Sequence, residues 1–277
     1  MISKLIAVFV IFGSLIGGFL MEGGNLAALW HPAELVIIVG MGLGVFLGST
    51  PLAVWKQTLR YIGRYFSGGM INQRLYDETL QALDDLGREA RVSGVLSLES
   101  HLEDPESSQI LSQYPTLLKN EMVLSFIVDN LSFMLLNPPK NIDMGEHLES
   151  QIEAIISAKM EVPRATGKVS NLMPGFGIIA AVMGVILTMR LLSGEMDVAK
   201  IGESIGAALV GTLTGIFVAF GVIAPFTSGV EIIIRQERAM LEMVAGFLEL
   251  FAEGVAPALA LEVGKQRIPP EFRPHDE

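Results

Sequence analysis

The sequence contains no cysteine, which removes disulfide frameworks, zinc fingers, iron–sulfur ligation and thiol nucleophiles together. Charge is scarce as well: only 18% of the 277 residues are Asp, Glu, Lys or Arg, and the bases are outnumbered 19 to 30, for a net charge of -11. Phosphate recognition needs a basic surface, so no nucleic-acid partner is expected. The four histidines, His31, His101, His147 and His275, lie far apart and lack metal-ligand spacing. P-loop, GxGxxG and GxSxG patterns are missing. The acidic pairs Asp84-Asp85 and Glu146/Glu149 fall on helix faces, where solvated carboxylates are the ordinary reading. Neither a metal nor any other cofactor is expected, and no bond-making enzyme. Period-two alternation is also missing, which argues against strands.

What is abundant is apolar. Hydrophobic residues make up 51% of the chain, and the mean hydropathy is +0.50, too high for a soluble domain of this length. The charges leave four gaps of at least seventeen residues, at 5–21, 35–55, 169–189 and 204–230. At ~1.5 Å per residue each can cross ~30 Å of hydrocarbon, the first only just. The first follows Lys4 but is longer than a signal-peptide core and has no small-x-small exit, so it reads as an uncleaved helix. The linker 22–34 has no Lys or Arg, whereas Lys56, Arg60, Arg64, Arg164, Lys168, Arg235 and Arg238 flank the opposite ends. By the positive-inside rule both termini face the cytoplasm.

Between the second and third gaps the pattern is helical and amphipathic. Residues 71–92 carry Leu75, Leu80, Leu83 and Leu86 among charges, and helices are predicted at 95–103, within 111–136 and at 142–160. Asn137-Pro138-Pro139 should end the segment within 111–136. The fold class is therefore all-α: a polytopic membrane protein with four transmembrane helices and a helical cytoplasmic domain. The end of the chain, 264–277, is rich in proline and charge and reads as poorly ordered.

Within the apolar helices the small residues are informative. Helix two has Gly40, Gly44 and Gly48 at four-residue intervals, and helix four has Ala207, Gly211, Gly215 and Ala219. Such stripes let backbones approach closely, within the chain or between copies. Gaps three and four hold no ionisable group, so no membrane proton relay is expected from this chain alone. If the outer hairpin folds about 196–197, Ala181 and Thr212 share one depth. A small residue facing a hydroxyl makes a slot into which a partner helix could bring the missing carboxylate. Pro174 and Pro225 sit toward the cytoplasmic ends of helices three and four, as kinks or as hinges.

Five blocks carry a resemblance: HPAELVIIVGMGLG (31–44), SGVLSLESHLEDPESSQILSQYP (93–115), MVLSFIVDNL (122–131), MPGFGIIAAVMGV (173–185) and ALVGTLTGIFVAFGVIAP (208–225). In wording and order the chain resembles the flagellar stator A subunits of the MotA/TolQ/ExbB family of ion-driven motors. The resemblance implies a homo-oligomer, five copies around a dimer of a MotB-like partner, whose membrane aspartate binds the ion. It implies an inner-membrane location and contact with the rotor protein FliG through Arg91 and Glu99, with Thr212 and Ala181 on the ion path and Pro174 and Pro225 coupling the motion. Sodium-type stators carry threonine where Ala181 stands, so the resemblance favours protons.

The expected organisation is then 1–55 for transmembrane helices one and two, 56–168 for the cytoplasmic rotor-contact domain, 169–234 for helices three and four lining the ion path, and 235–277 for a cytoplasmic C-terminal helix and tail. Two rivals stand beside this reading: a TolQ/ExbB-type energiser of outer-membrane processes, and a self-sufficient ion channel or transporter.

Overall fold

A computed structural model describes residues 2–69, 71–136, 142–191 and 198–273. Its α-helices, in chain order, are α1 (Ile2–Met21), α2 (Pro32–Ser49), α3 (Leu52–Ser67), α4 (Gln73–Ser93), α5 (Glu99–Glu103), α6 (Pro115–Leu118), α7 (Glu121–Leu135), α8 (Met144–Leu191), α9 (Val198–Phe217), α10 (Ala224–Ala252) and α11 (Pro257–Gln266). No strand occurs among the described residues. Four helical stretches are long and apolar enough to cross a membrane: Lys4–Met21, Leu26–Ser49, Met144–Met189 and Ser204–Ala252. The expected stop at Asn137-Pro138-Pro139, the hairpin apex about 196–197 and His275 lie outside the described residues.

The chain forms two compact units. Met1–Gly68 and Met160–Glu231 make the first, Gly69–Lys159 and Ile232–Glu277 the second. Helices α8 and α10 contribute residues to both.

In the first unit, α2 differs from its expected span of 35–55. Pro32 occupies the first helical turn, where its missing N–H is no loss, and the helix therefore starts before Leu35. It ends at Ser49 because Thr50, which precedes Pro51, is extended at φ -133 and ψ 144. A separate helix, α3, follows, with Trp55 Nε1 donating to Thr50 Oγ1 at 2.8 Å across the break. The inward face of α2 is Glu34, Ile38 and Gly42, spaced by four residues. Ile38 packs with Val169, Met173, Phe176, Ala180 and Ala219. The stripe of Gly40, Gly44 and Gly48 is not packed within this chain: a Cβ built on any of them meets nothing within 4 Å, whereas one on Gly42 would stand 2.8 Å from Met173 Sδ.

Tyr65 of α3 shows how glycine admits an aromatic. Its ring lies where a Cβ of Gly229 would be, 2.2 Å from the nearest ring carbon, with Lys4 Nζ 4.7 Å above its centroid and Phe226 edge-on at 5.6 Å.

The helices predicted at 142–160 and 169–189 are one. α8 runs for 48 residues through Pro163 and Pro174. Thr166 Oγ1 donates back to the Val162 carbonyl at 3.0 Å, and the apolar period continues through Val162, Ala165, Val169 and Met173, all buried. Continuity of one buried face thus outweighs two prolines.

The second unit is built on α4, capped by Asn72, whose side chain accepts from Leu75 N. Leu75, Leu80, Leu83 and Leu86 are all buried, as the amphipathic pattern requires. Glu78, on the same face, accepts from Thr116 N and Oγ1 at 2.6 Å each, Leu117 N at 3.2 Å and Arg74 Nε at 2.7 Å. It anchors the start of α6 to α4. Burial alone would push this carboxyl up, but the bonds from Thr116, Arg74 and Leu117 hold it below the usual carboxylate range. A second buried carboxylate, Glu237, pairs with the half-buried Lys159 at 2.7 Å and joins α8 to α10. Up to Arg273 the tail packs on its unit: Ile268 is buried, Phe272 stacks on Tyr76 at 5.3 Å, and Arg273 Nε donates to the Ile268 carbonyl; the rest of the expected poorly ordered end, 274–277, lies outside the described residues.

Candidate functional site

In the first unit α8 and α9 approach each other closely along a line of glycines. Without side chains at Gly177, Gly211 and Gly215, the two backbones touch. A Cβ on Gly177 would stand 2.9 Å from the Gly211 carbonyl oxygen and 3.2 Å from Thr212 Cα. One on Gly215 would stand 2.8 Å from both Gly177 Cα and the Met173 carbonyl oxygen. Gly184 continues the seam against Ala208, at 3.2 Å from its Cβ. The predicted stripe is therefore correct at Gly211, Gly215 and Ala219, but Ala208 rather than Ala207 completes it, because a straight α-helix drifts off a strict four-residue repeat.

Thr212 lies beside this contact and is half-buried, as is Ala181. Ala180, one residue earlier, is the buried one and meets Gly211. The seam thus brings Gly177 against Gly211, Thr212 and Gly215, with Ala181 and Thr212 half-buried beside it.

Glu34 was missed by sequence reasoning because it was assigned to the linker before helix two. With α2 starting at Pro32, its carboxyl is buried, and Oε2 stands 3.1 Å from where a Gly211 Cβ would be. The signal was available: Pro32 as a helix start, then Glu34, Ile38 and Gly42 at helical spacing.

Toward the other end of the seam the hydroxyls take over. Ser170 Oγ donates to the Ala219 carbonyl at 2.8 Å, and Thr166 and Thr227 hydroxyls pair at 2.8 Å. Ala219 lies in a π-helical turn, Val218–Ile223, between α9 and α10, and its carbonyl also accepts from Ala224 N. Pro225 follows this turn directly, whereas Pro174 lies inside α8. Widening the helix ahead of a proline relieves the clash of its ring with the preceding turn. No sequence pattern announced the π turn.

In the second unit Arg91 lies in the last turn of α4 and Glu99 begins α5; both are exposed, and neither has an ion-pair partner among the described residues. Arg238, by contrast, is held by Glu149, Glu153 and Glu242 at 3.0, 3.2 and 2.7 Å. Between Arg91 and Glu99 stand Val92 and Leu96, 85% and 73% exposed, an apolar element that charge-based reasoning overlooked. Arg91 also borders a cleft of about 210 Å³ lined by Val95, Phe251, Val255 and Pro257. The histidines are engaged locally: His31 with the Ala28 carbonyl, His101 with Ser108 and His147 with Gln151.

Comparison with known proteins agrees with this arrangement. Residues 5–94 match the family described as Motility protein A N-terminal, and residues 121–243 match the MotA/TolQ/ExbB proton channel family. Motility protein A of Escherichia coli is 34% identical over 275 residues, covering 98% of this chain and 91% of that one. The chain belongs to the MotA/TolQ/ExbB proton channel family. Within the family it is also similar to Chemotaxis protein LafT of Vibrio parahaemolyticus, at 32% identity over 98% of this chain and 95% of that one. Among solved structures, the C. jejuni MotAB structure covers 99% of both chains with a TM-score of 0.78 at 20% identity. The flagellar MotAB stator complex from Bacillus subtilis gives 0.68 at 23% identity, over 93% of this chain and 92% of that one. At these identities the structures establish the shared fold.

Proposed function

We propose that this chain is the A subunit of a bacterial flagellar stator, forming with a MotB-like partner a proton-conducting complex that turns ion-motive force into torque. The observation that carries this reading is the α8–α9 seam, where backbones touch beside Thr212 in a chain of the proton channel family. Relatives named for motility and chemotaxis, similar over almost their whole length, support the flagellar assignment.

In this reading the chain is a multi-pass protein of the inner membrane with both termini in the cytoplasm. Residues 1–55 and 169–234 are the membrane part, 56–168 the rotor-contact domain, and 235–277 a cytoplasmic helix and tail. Copies of the chain, five in number, surround a partner dimer. Exposed apolar side chains such as Ile178, Val182 and Ile186 on α8 support a lipid or protein environment around the membrane helices.

The mechanism follows from charge. A partner aspartate facing Thr212 and Ala181 is neutralised when a proton arrives, and its contact with the seam changes. The membrane potential supplies about 2.3 kcal/mol per charge per 100 mV. Pro174, and Pro225 behind the π turn, are the points at which α8 and α10 bend as that contact changes. Arg91 and Glu99 engage the rotor protein FliG. Exposed ion pairs are worth about 0–1 kcal/mol each, which suits a contact that must form and break with every step.

The test is deletion of the gene and complementation with the full chain. The deleted strain should assemble flagella and not swim. Intact swimming together with a sensitised outer membrane would replace this reading with that of a TolQ/ExbB-type energiser. Proton flux from the chain reconstituted without a partner would make it a self-sufficient channel.

A further inference from the structure

The mechanism above uses one proton-binding group, brought by the partner. Glu34 is a second carboxyl at the same seam, and it belongs to this chain. A buried carboxylate ordinarily has hydrogen-bond donors or a cation around it. The other two buried glutamates follow that rule: Glu78 has four bonds within its unit, and Glu237 has Lys159. Glu34 does not. It is 7% exposed, yet its Oε2 has no hydrogen-bond partner among the described residues.

Its surroundings define what it can do. The carboxyl occupies the notch left by the missing side chain of Gly211, with Oε2 3.1 Å and Cδ 3.2 Å from the position of a Cβ there. Ala180 Cβ stands 3.4 Å from the same point and closes the notch on the α8 side. Gly211 and Ala180 are the sequence neighbours of Thr212 and Ala181. Neither α8 from 169 to 189 nor the α9–α10 stretch from 204 to 230 offers another ionisable group. On its own element the nearest titratable residue is His31, whose Nε2 lies 3.1 Å from the Ala28 carbonyl oxygen.

We infer that Glu34 is a proton-relay carboxyl of the ion path, taking a proton on its unpaired Oε2 and releasing it toward the seam at Gly211 and Thr212. The inference rests on the ion-path reading above. The step forms an O–H bond on Oε2 from a proton delivered by water and breaks it as the proton passes to water or to the partner's carboxylate, with no change of oxidation state. Glu34 acts in series with the partner's acid and does not replace it.

A carboxyl that merely fills the notch would be replaced without loss by an amide of the same shape, and this separates the two roles. The full chain is expressed with its partner as wild type, Glu34→Gln and Glu34→Asp. Cytoplasmic acidification reads proton flux across a range of external pH, and co-purification reads assembly. Glu34→Gln should assemble at wild-type yield with flux lowered at least about tenfold, while Glu34→Asp retains flux with a displaced pH profile. Flux within about twofold of wild type and an unchanged pH profile in Glu34→Gln overturn the inference. If Glu34→Gln lowers the yield, infrared titration of the wild-type and Glu34→Asp complexes decides. A titrating carboxyl band that differs between them, and that survives replacement of the partner's membrane acid by asparagine, supports the relay; identical spectra overturn it. Failure of the stator reading is distinguishable, because it appears as swimming by the deletion strain.

Discussion

Replacing Gly177 by alanine adds one methyl group to α8, and its destination is known. The new Cβ would stand 2.9 Å from the Gly211 carbonyl oxygen and 3.1 and 3.2 Å from the Cα atoms of Gly215 and Thr212. All three are main-chain atoms, so no side chain can rotate away. Relaxed carbon contacts lie at about 3.5–4.0 Å, and the helices must therefore part locally by about 0.5–1 Å or remain strained. Overpacking of this kind costs about 1–3 kcal/mol. The displacement would also stretch the bond from Ser170 Oγ to the Ala219 carbonyl, now 2.8 Å. For a chain of this size each kcal/mol lowers the melting temperature by about 2–4 °C, so the purified complex in detergent should melt roughly 2–12 °C lower. Gly40→Ala is the comparison, since its Cβ meets nothing within 4 Å in the same chain. It should leave the fold of the chain intact; if it instead dissociates the oligomer, that face of α2 is a contact between copies. A Gly177→Ala complex that melts with wild type and conducts normally would refute the backbone contact at Thr212 and with it the ion-path argument.

Other substitutions test separate parts. Thr212→Val removes a hydroxyl at nearly constant volume; if that hydroxyl contributes about 1 kcal/mol to ion passage, flux should fall about fivefold with assembly unchanged, measured as cytoplasmic acidification. Charge reversal at Arg91 or Glu99 should lower stall torque in a tethered-cell assay while proton flux is spared, whereas Arg235, exposed on α10, should tolerate it. Lys159→Met removes the ammonium that lies 2.7 Å from the buried Glu237 carboxylate and should lower the stability of the complex in chemical denaturation, whereas Lys159→Arg, which keeps the charge, should lower it less. Glu78 supplies the pH dependence. Its folded carboxyl sits below the ordinary glutamate range, so the stability it contributes is full above that range and is lost as pH falls through the folded value. Glu78→Gln should cost about 1.5–3 kcal/mol at neutral pH and flatten the acid limb of a melting-temperature profile.

How far the fold could be read in the sequence depended on the kind of signal. Four apolar helices followed from charge-free runs, because no arrangement of neighbours makes such a run soluble. The amphipathic α4 followed from its leucine period. Boundaries were less legible where two local rules competed. Pro51 ended α2 early, as the rule for the residue before proline requires, yet Pro163 and Pro174 did not end α8, because a continuous buried face held it together. Within the described residues the start of the tail is packed. Ile268 and Phe272, two apolar residues among prolines and charges, were enough to dock it.

The candidate site was legible in composition and not in geometry. Thr212, Ala181, Arg91 and Glu99 could be named because motif and charge mark them. Glu34 could not be ranked among them, nor Val92 and Leu96, since exposure and partnership are properties of neighbours.

By itself the sequence determined that the chain is helical, membrane-spanning and free of thiol chemistry, since those conclusions need only residue types and their periods. Only the tertiary structure decided which small residues meet. Gly40, Gly44 and Gly48 face open space while Gly177, Gly211 and Gly215 bring two backbones into contact. The two stripes have the same spacing, and spacing carries no information about which face turns inward. The same limit applied to the membrane acid. Counting charges between helices put Glu34 outside the bilayer segments, and packing α2 against α9 buried its carboxyl in the notch at Gly211.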